Sequence, residues 1–307
     1  MTNLMKILFP LSHSSRPPSI IITLHFHYFK GGIIESPQND FTYIVSIRDI
    51  NKPNHHRGAG TIFFQGNWIL TSRAIVAKSD YDGEKYQYVI REAYDLIVYP
   101  KWGIKLSGLK SKNFCKSQKT FCYNFTDEPE ERLTFTNIAL VKLSGSIPVD
   151  KNFSSLELIP EDHDFRHNDK ILVGGWGIYD SLPRNPLLSD NLMQGEIPSK
   201  LNCSSNEYYK PLAHMCAHRE DVGVCRGEYG GPAVVRTPKK NRDRIYLAGV
   251  INFNDNDKAC SMGRSYFLNV TYFRDFIDHV RRHEPAEYEC KNMVNKFRSK
   301  PPPNQTV

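Results

Sequence analysis

Gly227-Glu228-Tyr229-Gly230-Gly231-Pro232 is the stretch on which the reading of this chain turns. It opens directly onto an apolar run, Pro232–Val235, and that run has many counterparts. Between Thr42 and Val270, short apolar runs alternate with polar turns and show little helical periodicity. Candidate strands are Thr42–Ile47, Thr61–Phe64, Trp68–Thr71, Tyr86–Ile90, Leu96–Tyr99, Ile138–Leu143 and Ile171–Gly174. Others follow at Gln194–Ile197, Pro232–Val235, Tyr246–Ile251 and Tyr266–Val270. Many short β-rich runs separated by turn signals predict an all-β barrel or sandwich. The best helix is Thr271–Arg282, where Tyr272, Phe273, Phe276, Ile277 and Val280 share one face.

The 307 residues, 40% of them hydrophobic, suffice for one large or two small domains. A formal net charge of +7 permits an acidic partner but is too diffuse to imply nucleic acid. Seven cysteines without a CxxC pair argue against a zinc ribbon or a thioredoxin-like site. Five glycosylation sequons, at Asn124, Asn152, Asn202, Asn269 and Asn304, fit a secreted, oxidising route. Near the N-terminus, Ile7-Leu8-Phe9 is interrupted by Pro10, and Ile20–Phe29 contains His25 and His27. Neither is a clean signal peptide or long enough to span a bilayer, so 1–32 reads as an atypical or cleaved leader. Residues 283–307 read as a polar tail. His55 and His56 read as solvated turn residues, and His163 and His167 as surface charge among acids, with no metal or cofactor expected.

Further blocks, in the same order along the chain, resemble the chymotrypsin-like (trypsin) serine protease family. Trp68-Ile69-Leu70-Thr71 resembles the strand entering the family's histidine loop. Thr136-Asn137-Ile138-Ala139-Leu140-Val141-Lys142-Leu143 is similar to its Asn-Asp-Ile-Ala-Leu-Leu-Lys-Leu block. Gly174-Gly175-Trp176-Gly177 resembles Ser-Gly-Trp-Gly, Met215-Cys216-Ala217 resembles Met-Ile-Cys-Ala, and the opening stretch resembles the Gly-Asp-Ser-Gly-Gly-Pro loop. The resemblance implies two six-stranded antiparallel Greek-key β-barrels with a C-terminal helix, over 33–282.

It also implies that the three catalytic positions are changed. The histidine position falls on Ala74, the aspartate on Asn137 and the serine on Tyr229. In the family's chemistry serine attacks, histidine takes its proton, and aspartate fixes the histidine tautomer. Ala74 offers no base. Asparagine at the third position costs on the order of 10⁴ in turnover, and losing nucleophile or base costs on the order of 10⁶. Arg73, beside Ala74, stays protonated and is no substitute. Gly227, Glu228 and Tyr229 would be a vestigial oxyanion loop.

In the family, cleavage before an Ile-Val-Gly-Gly sequence frees an ammonium that pairs with the aspartate preceding the serine. Ile33-Ile34-Glu35-Ser36 and Glu228 occupy those places here, but Gly32 precedes Ile33, so the switch is expected to be unused. The pocket base falls on Gly223 and its rim on Phe253 and Asn254, with Asn254 adding a side chain to the slot. The resemblance pairs Cys203 with Cys216 and Cys225 with Cys260. Cys115 and Cys122, seven apart, would close an insert-like loop, leaving Cys290 free, capped locally or joined to another chain.

The altered motifs resemble the sphinx-like inactive homologues of insects. The expectation is a secreted non-catalytic homologue that binds an extracellular protein, as cofactor, decoy or regulator of proteolysis. The alternatives are a hydrolase with rebuilt chemistry and a glycan or acidic-surface binder using Lys110–Lys119 and Arg236–Arg244.

Overall fold

The computed structural model describes residues 34–35, 41–82, 87–93, 96–100, 115–123, 137–149, 154–163, 169–178, 188–189, 191–200, 203, 209, 212–237, 243–256, 260–285 and 290. Asn124, Asn152, Asn202, Asn304, His167, Ile33, the whole of the expected leader and most of the expected tail lie outside them.

The first half supplies β1 (Ile34–Glu35), β2 (Ile44–Asp49), β3 (Lys52–Phe63), β4 (Trp68–Ser72), the short helix α1 (Arg73–Val76), β5 (Ala77–Asp82), β6 (Gln87–Ala93), β7 (Leu96–Pro100), β8 (Cys115–Cys122) and β9 (Ile138–Leu143). The second supplies β10 (Glu157–Leu158), β11 (Lys170–Gly175), β12 (Met193–Lys200), β13 (His214–Ala217), β14 (Pro232–Thr237), β15 (Arg244–Asn254), β16 (Ser265–Asn269) and α2 (Arg274–His283).

β2, β3, β4, β9, β8 and β7 close a six-stranded antiparallel barrel. β12, β11, β14, β15, β16 and β13 close a second, because β13 pairs back onto β12 through Ser199↔Ala217. β1 adds to its edge on β12, and β10 runs parallel to β15. The residue pattern explains the closure. Along β12, Gly195, Ile197 and Ser199 are buried while their neighbours are half exposed, the period of two that puts one face inside a barrel. β4 is buried throughout and packs between the barrels.

The linker 154–159 crosses from one barrel to the other. Ser154 N–H donates to Thr42 O, Leu156 N–H to Ile62 O, and Ile159 N–H to Leu247 O. α2 then buries Phe276, Ile277 and Val280 and ends at Glu284, whose left-handed backbone returns its N–H to Val280 O.

Two expectations need correction. Cys115 and Cys122 are the two ends of β8, not neighbours in a loop. Seven steps at about 3.3 Å separate their Cα atoms by roughly 23 Å, far beyond the ~7 Å that a disulfide spans. Cys122 is instead bonded to Cys290, 168 residues away. Cys290 is therefore neither free nor joined to another chain: it is buried and tethers the expected tail to the first barrel. The other bonds join Cys203 to Cys216 and Cys225 to Cys260.

Candidate functional site

The Gly227–Pro232 loop sits at the seam between the barrels. Ala59 N–H, on β3, donates to Tyr229 O at 3.0 Å, while Gly230 N–H donates to Ile251 O and Ile251 N–H to Gly231 O, both at 2.8 Å. Gly227 and Gly230 take φ values of +96° and +84°, a region where a Cβ is strained. A Cβ on Gly230 would also crowd Thr71 Oγ1. The Tyr229 side chain is half buried and packs against the apolar clusters of both barrels.

β4 delivers α1 beside this loop. Ala74 is exposed, and its N–H donates to Asn137 Oδ1 at 2.8 Å. Arg73 N–H donates to Asn137 O at 3.0 Å. The Arg73 side chain turns inward and bonds Tyr123 O, where burial lowers its pKa to about 10. Asn137 Nδ2 donates to Asn252 Oδ1 at 2.8 Å, and Asn252 Nδ2 donates to Nε2 of the buried His214 at 3.4 Å. A chain of neutral amides thus runs from the backbone of α1 to His214. Asn137 and Ala74 are brought into direct contact, and the Tyr229 loop packs against the strand leading to them. Asn252 was not singled out in the sequence, since an asparagine inside an apolar run carries no local signal.

Glu228 is buried at 7% exposure between Gly175 and Gly177, where an added Cβ would lie 2.7 Å from its Cγ and 2.6 Å from its Cδ. Its Oε2 accepts the Cys225 N–H at 2.7 Å. Burial pushes its pKa up to about 7, against the smaller opposing effect of that bond.

His56 corrects another expectation. It is buried, not solvated, because β3 extends through Lys52–Phe63 and carries it under the loop; His55, its neighbour, is exposed. His56 Nε2 donates to Gly227 O at 2.7 Å, Nδ1 accepts from Ser46 Oγ at 2.8 Å, and Ser46 Oγ accepts from Arg48 Nε at 3.1 Å. A neutral imidazole that donates from Nε2 leaves Nδ1 as the acceptor. Burial lowers the His56 pKa to about 4, and the Arg48 charge adds to that effect.

Asn254 lies beside Gly223, its Nδ2 3.0 Å from where a Cβ on that glycine would sit. Asn254 is 5% exposed, and its Nδ2 donates to Val224 O at 3.0 Å and Cys260 O at 2.9 Å. Its Oδ1 accepts Asn256 N–H at 2.8 Å. An added Cβ on Gly223 would overlap Cys260 O, and one on Gly263 would overlap Asn254 Oδ1. Phe253 stacks on Tyr266, with centroids 4.4 Å apart and planes at 12°.

Comparison with known proteins agrees with this geometry. The Trypsin family model matches residues 31–277. Tryptase of Mus musculus is 22% identical over 269 residues, covering 80% of this chain and 86% of that protein. Transmembrane protease serine 11C of Mus musculus is 28% identical over 148 residues, covering 46% of this chain. The matched part is 33% of that relative's length, so the chain spans about a third of it. A solved mutant of human heparin binding protein (CAP37) superposes with a TM-score of 0.61 at 17% identity, covering 82% of this chain and 97% of that one. At that identity it speaks to the fold. Among the described residues no helix is long and apolar enough to cross a membrane. With two closed barrels, the Gly-Gly-Pro loop at their seam and a family match over most of its length, the chain belongs to the trypsin family.

Proposed function

We propose that this chain is a secreted, non-catalytic member of that family, acting on proteolysis by binding an extracellular protein as cofactor, decoy or regulator. The carrying observation is the contact between Ala74 and Asn137. At the positions matching the family's base and its orienting acid, a backbone N–H meets a neutral amide, and neither takes up a proton near neutral pH. Tyr229 beside them carries its oxygen at the far end of a ring. Asn254 occupies the slot that a substrate side chain would need. Three intrachain disulfides suit an oxidising compartment.

The Glu228 arrangement favours use without chain cleavage. Its carboxyl bonds the backbone of its own loop through Cys225 N–H, and its longer side chain fills the space beside Gly177. The loop is held from within. Sequencing the N-terminus of the secreted protein checks this point, and a mature chain starting at Ile33 overturns it.

The catalytic question is tested by incubating purified protein with fluorogenic ester and peptide substrates. The expected result is turnover indistinguishable from buffer. Turnover that disappears in Tyr229→Ala would instead establish a hydrolase with rebuilt chemistry.

A further inference from the structure

We propose that His279 and His283 form a two-histidine site for a divalent transition-metal ion on the exposed face of α2. The two residues are four apart in a helix of ten, Arg274–His283, so their side chains leave from one stripe. Both are exposed, whereas Val280 beside them points into the core. Their ring centroids lie 5.0 Å apart with planes inclined at 47°. Two nitrogens bound to one tetrahedral zinc at about 2.0–2.1 Å sit roughly 3.3 Å from each other. Rings already this close reach that separation by side-chain rotation alone.

The arginines next to this stripe are partly neutralised and turned aside. Arg281 lays its guanidinium over the Phe64 ring at 4.2 Å and reaches Asp278 Oδ1 at 3.5 Å. Arg282 reaches Asp278 Oδ2 at 3.7 Å. Both arginines of the last turn are thus drawn toward Asp278. Asp275, exposed one turn before His279 on the same stripe, can accept from a ligating imidazole, the arrangement that fixes histidine ligands elsewhere. The two histidines also occupy the C-terminal turns of α2, where the helix dipole presents its negative end.

Imidazole pairs suit zinc, copper and nickel and are poor ligands for calcium or magnesium. Among the described residues no cluster of three His, Cys, Asp or Glu side chains could hold a metal, so water completes the coordination. The site is therefore open and exchangeable. It would staple the last turn of α2 beside the Lys142–Glu284 ion pair, which links that turn to β9.

The test is Zn²⁺ titration of the full chain by calorimetry, for the native protein, His279→Ala, His283→Ala and the double variant. The native chain is expected to bind one Zn²⁺ ion more per chain than the double variant. Changes one shell beyond a metal already cost ~10–100-fold in affinity, so each single variant should weaken this ion at least ~10-fold. Circular dichroism of these exposed-site variants should stay native. In the unmutated chain, Zn²⁺ should also protect both histidines from diethyl pyrocarbonate, as read by peptide mass mapping. An unchanged isotherm in the double variant, or unprotected histidines, overturns the proposal. Half an ion per chain does so too, because the metal would then bridge two copies.

Discussion

The side-chain amide of Asn254 donates to the carbonyl of Cys260 at 2.9 Å, joining the end of β15 to the Cys225–Cys260 disulfide. With its bonds to Val224 O and from Asn256 N–H, the side chain acts as a cross-brace. Asn254→Gly is expected to lower stability by about 1–3 kcal/mol, the cost of leaving buried partners unmet. Urea unfolding measures this. Under the proposed function, fluorogenic substrates should remain uncleaved by the variant, because the substitution adds neither a base nor a nucleophile.

The Cys122–Cys290 bond closes a loop of 168 residues and ties the segment after α2 to β8. Removing it with Cys122→Ser and Cys290→Ser should cost ~2–5 kcal/mol, at the upper end if chain entropy dominates. Thermal unfolding reads the loss. Three disulfides take six of the seven cysteines, so denatured, unreduced protein should titrate at most one thiol per chain.

Glu228 and His56 oppose each other as pH changes. The folded Glu228 pKa is raised to about 7 from 4.5, so its contribution is fully present below pH ~4.5 and is lost as pH rises toward 7. The folded His56 pKa is lowered to about 4 from 6.5, so its contribution is present above pH ~6.5 and is lost as pH falls toward 4. Between pH ~4.5 and ~6.5 the two slopes cancel in the native chain. Glu228→Gln, which keeps an acceptor for Cys225 N–H, should expose the His56 slope alone. Stability should then rise by up to ~1.4 kcal/mol per pH unit across that window. Urea unfolding at several pH values checks this, and matching profiles for the native chain and the variant would refute it.

Asn269 is expected to carry no glycan, although it heads a sequon. Its Nδ2, the attachment atom, donates to Leu212 O at 3.2 Å, and its Oδ1 accepts Thr271 N–H at 3.1 Å. Once folded, the amide is held on both sides. Mass spectrometry of protein expressed through a secretory host and treated with glycosidase in ¹⁸O water should leave Asn269 unlabelled.

The helix near Thr271–Arg282 and the strands at Trp68–Thr71, Ile138–Leu143, Ile171–Gly174 and Pro232–Val235 were legible because each carries its signal in adjacent residues. Periodicity and turn residues are local, and the site loop is marked by glycines that its backbone needs at +96° and +84°. β8 carries no local strand signal because Lys116, Ser117, Gln118 and Lys119 hide its pattern; pairing with β9 overrides that composition.

What the sequence determined by itself was the all-β class, the family blocks and the residue types at Ala74, Asn137 and Tyr229. Those are properties of composition and order. Tertiary structure decided that Cys122 meets Cys290, that His56 lies buried beneath Gly227, and that Asn137 bridges Ala74 to Asn252. Each joins residues far apart in the chain, and burial and donor geometry depend on what the fold brings near, which no local window of sequence contains.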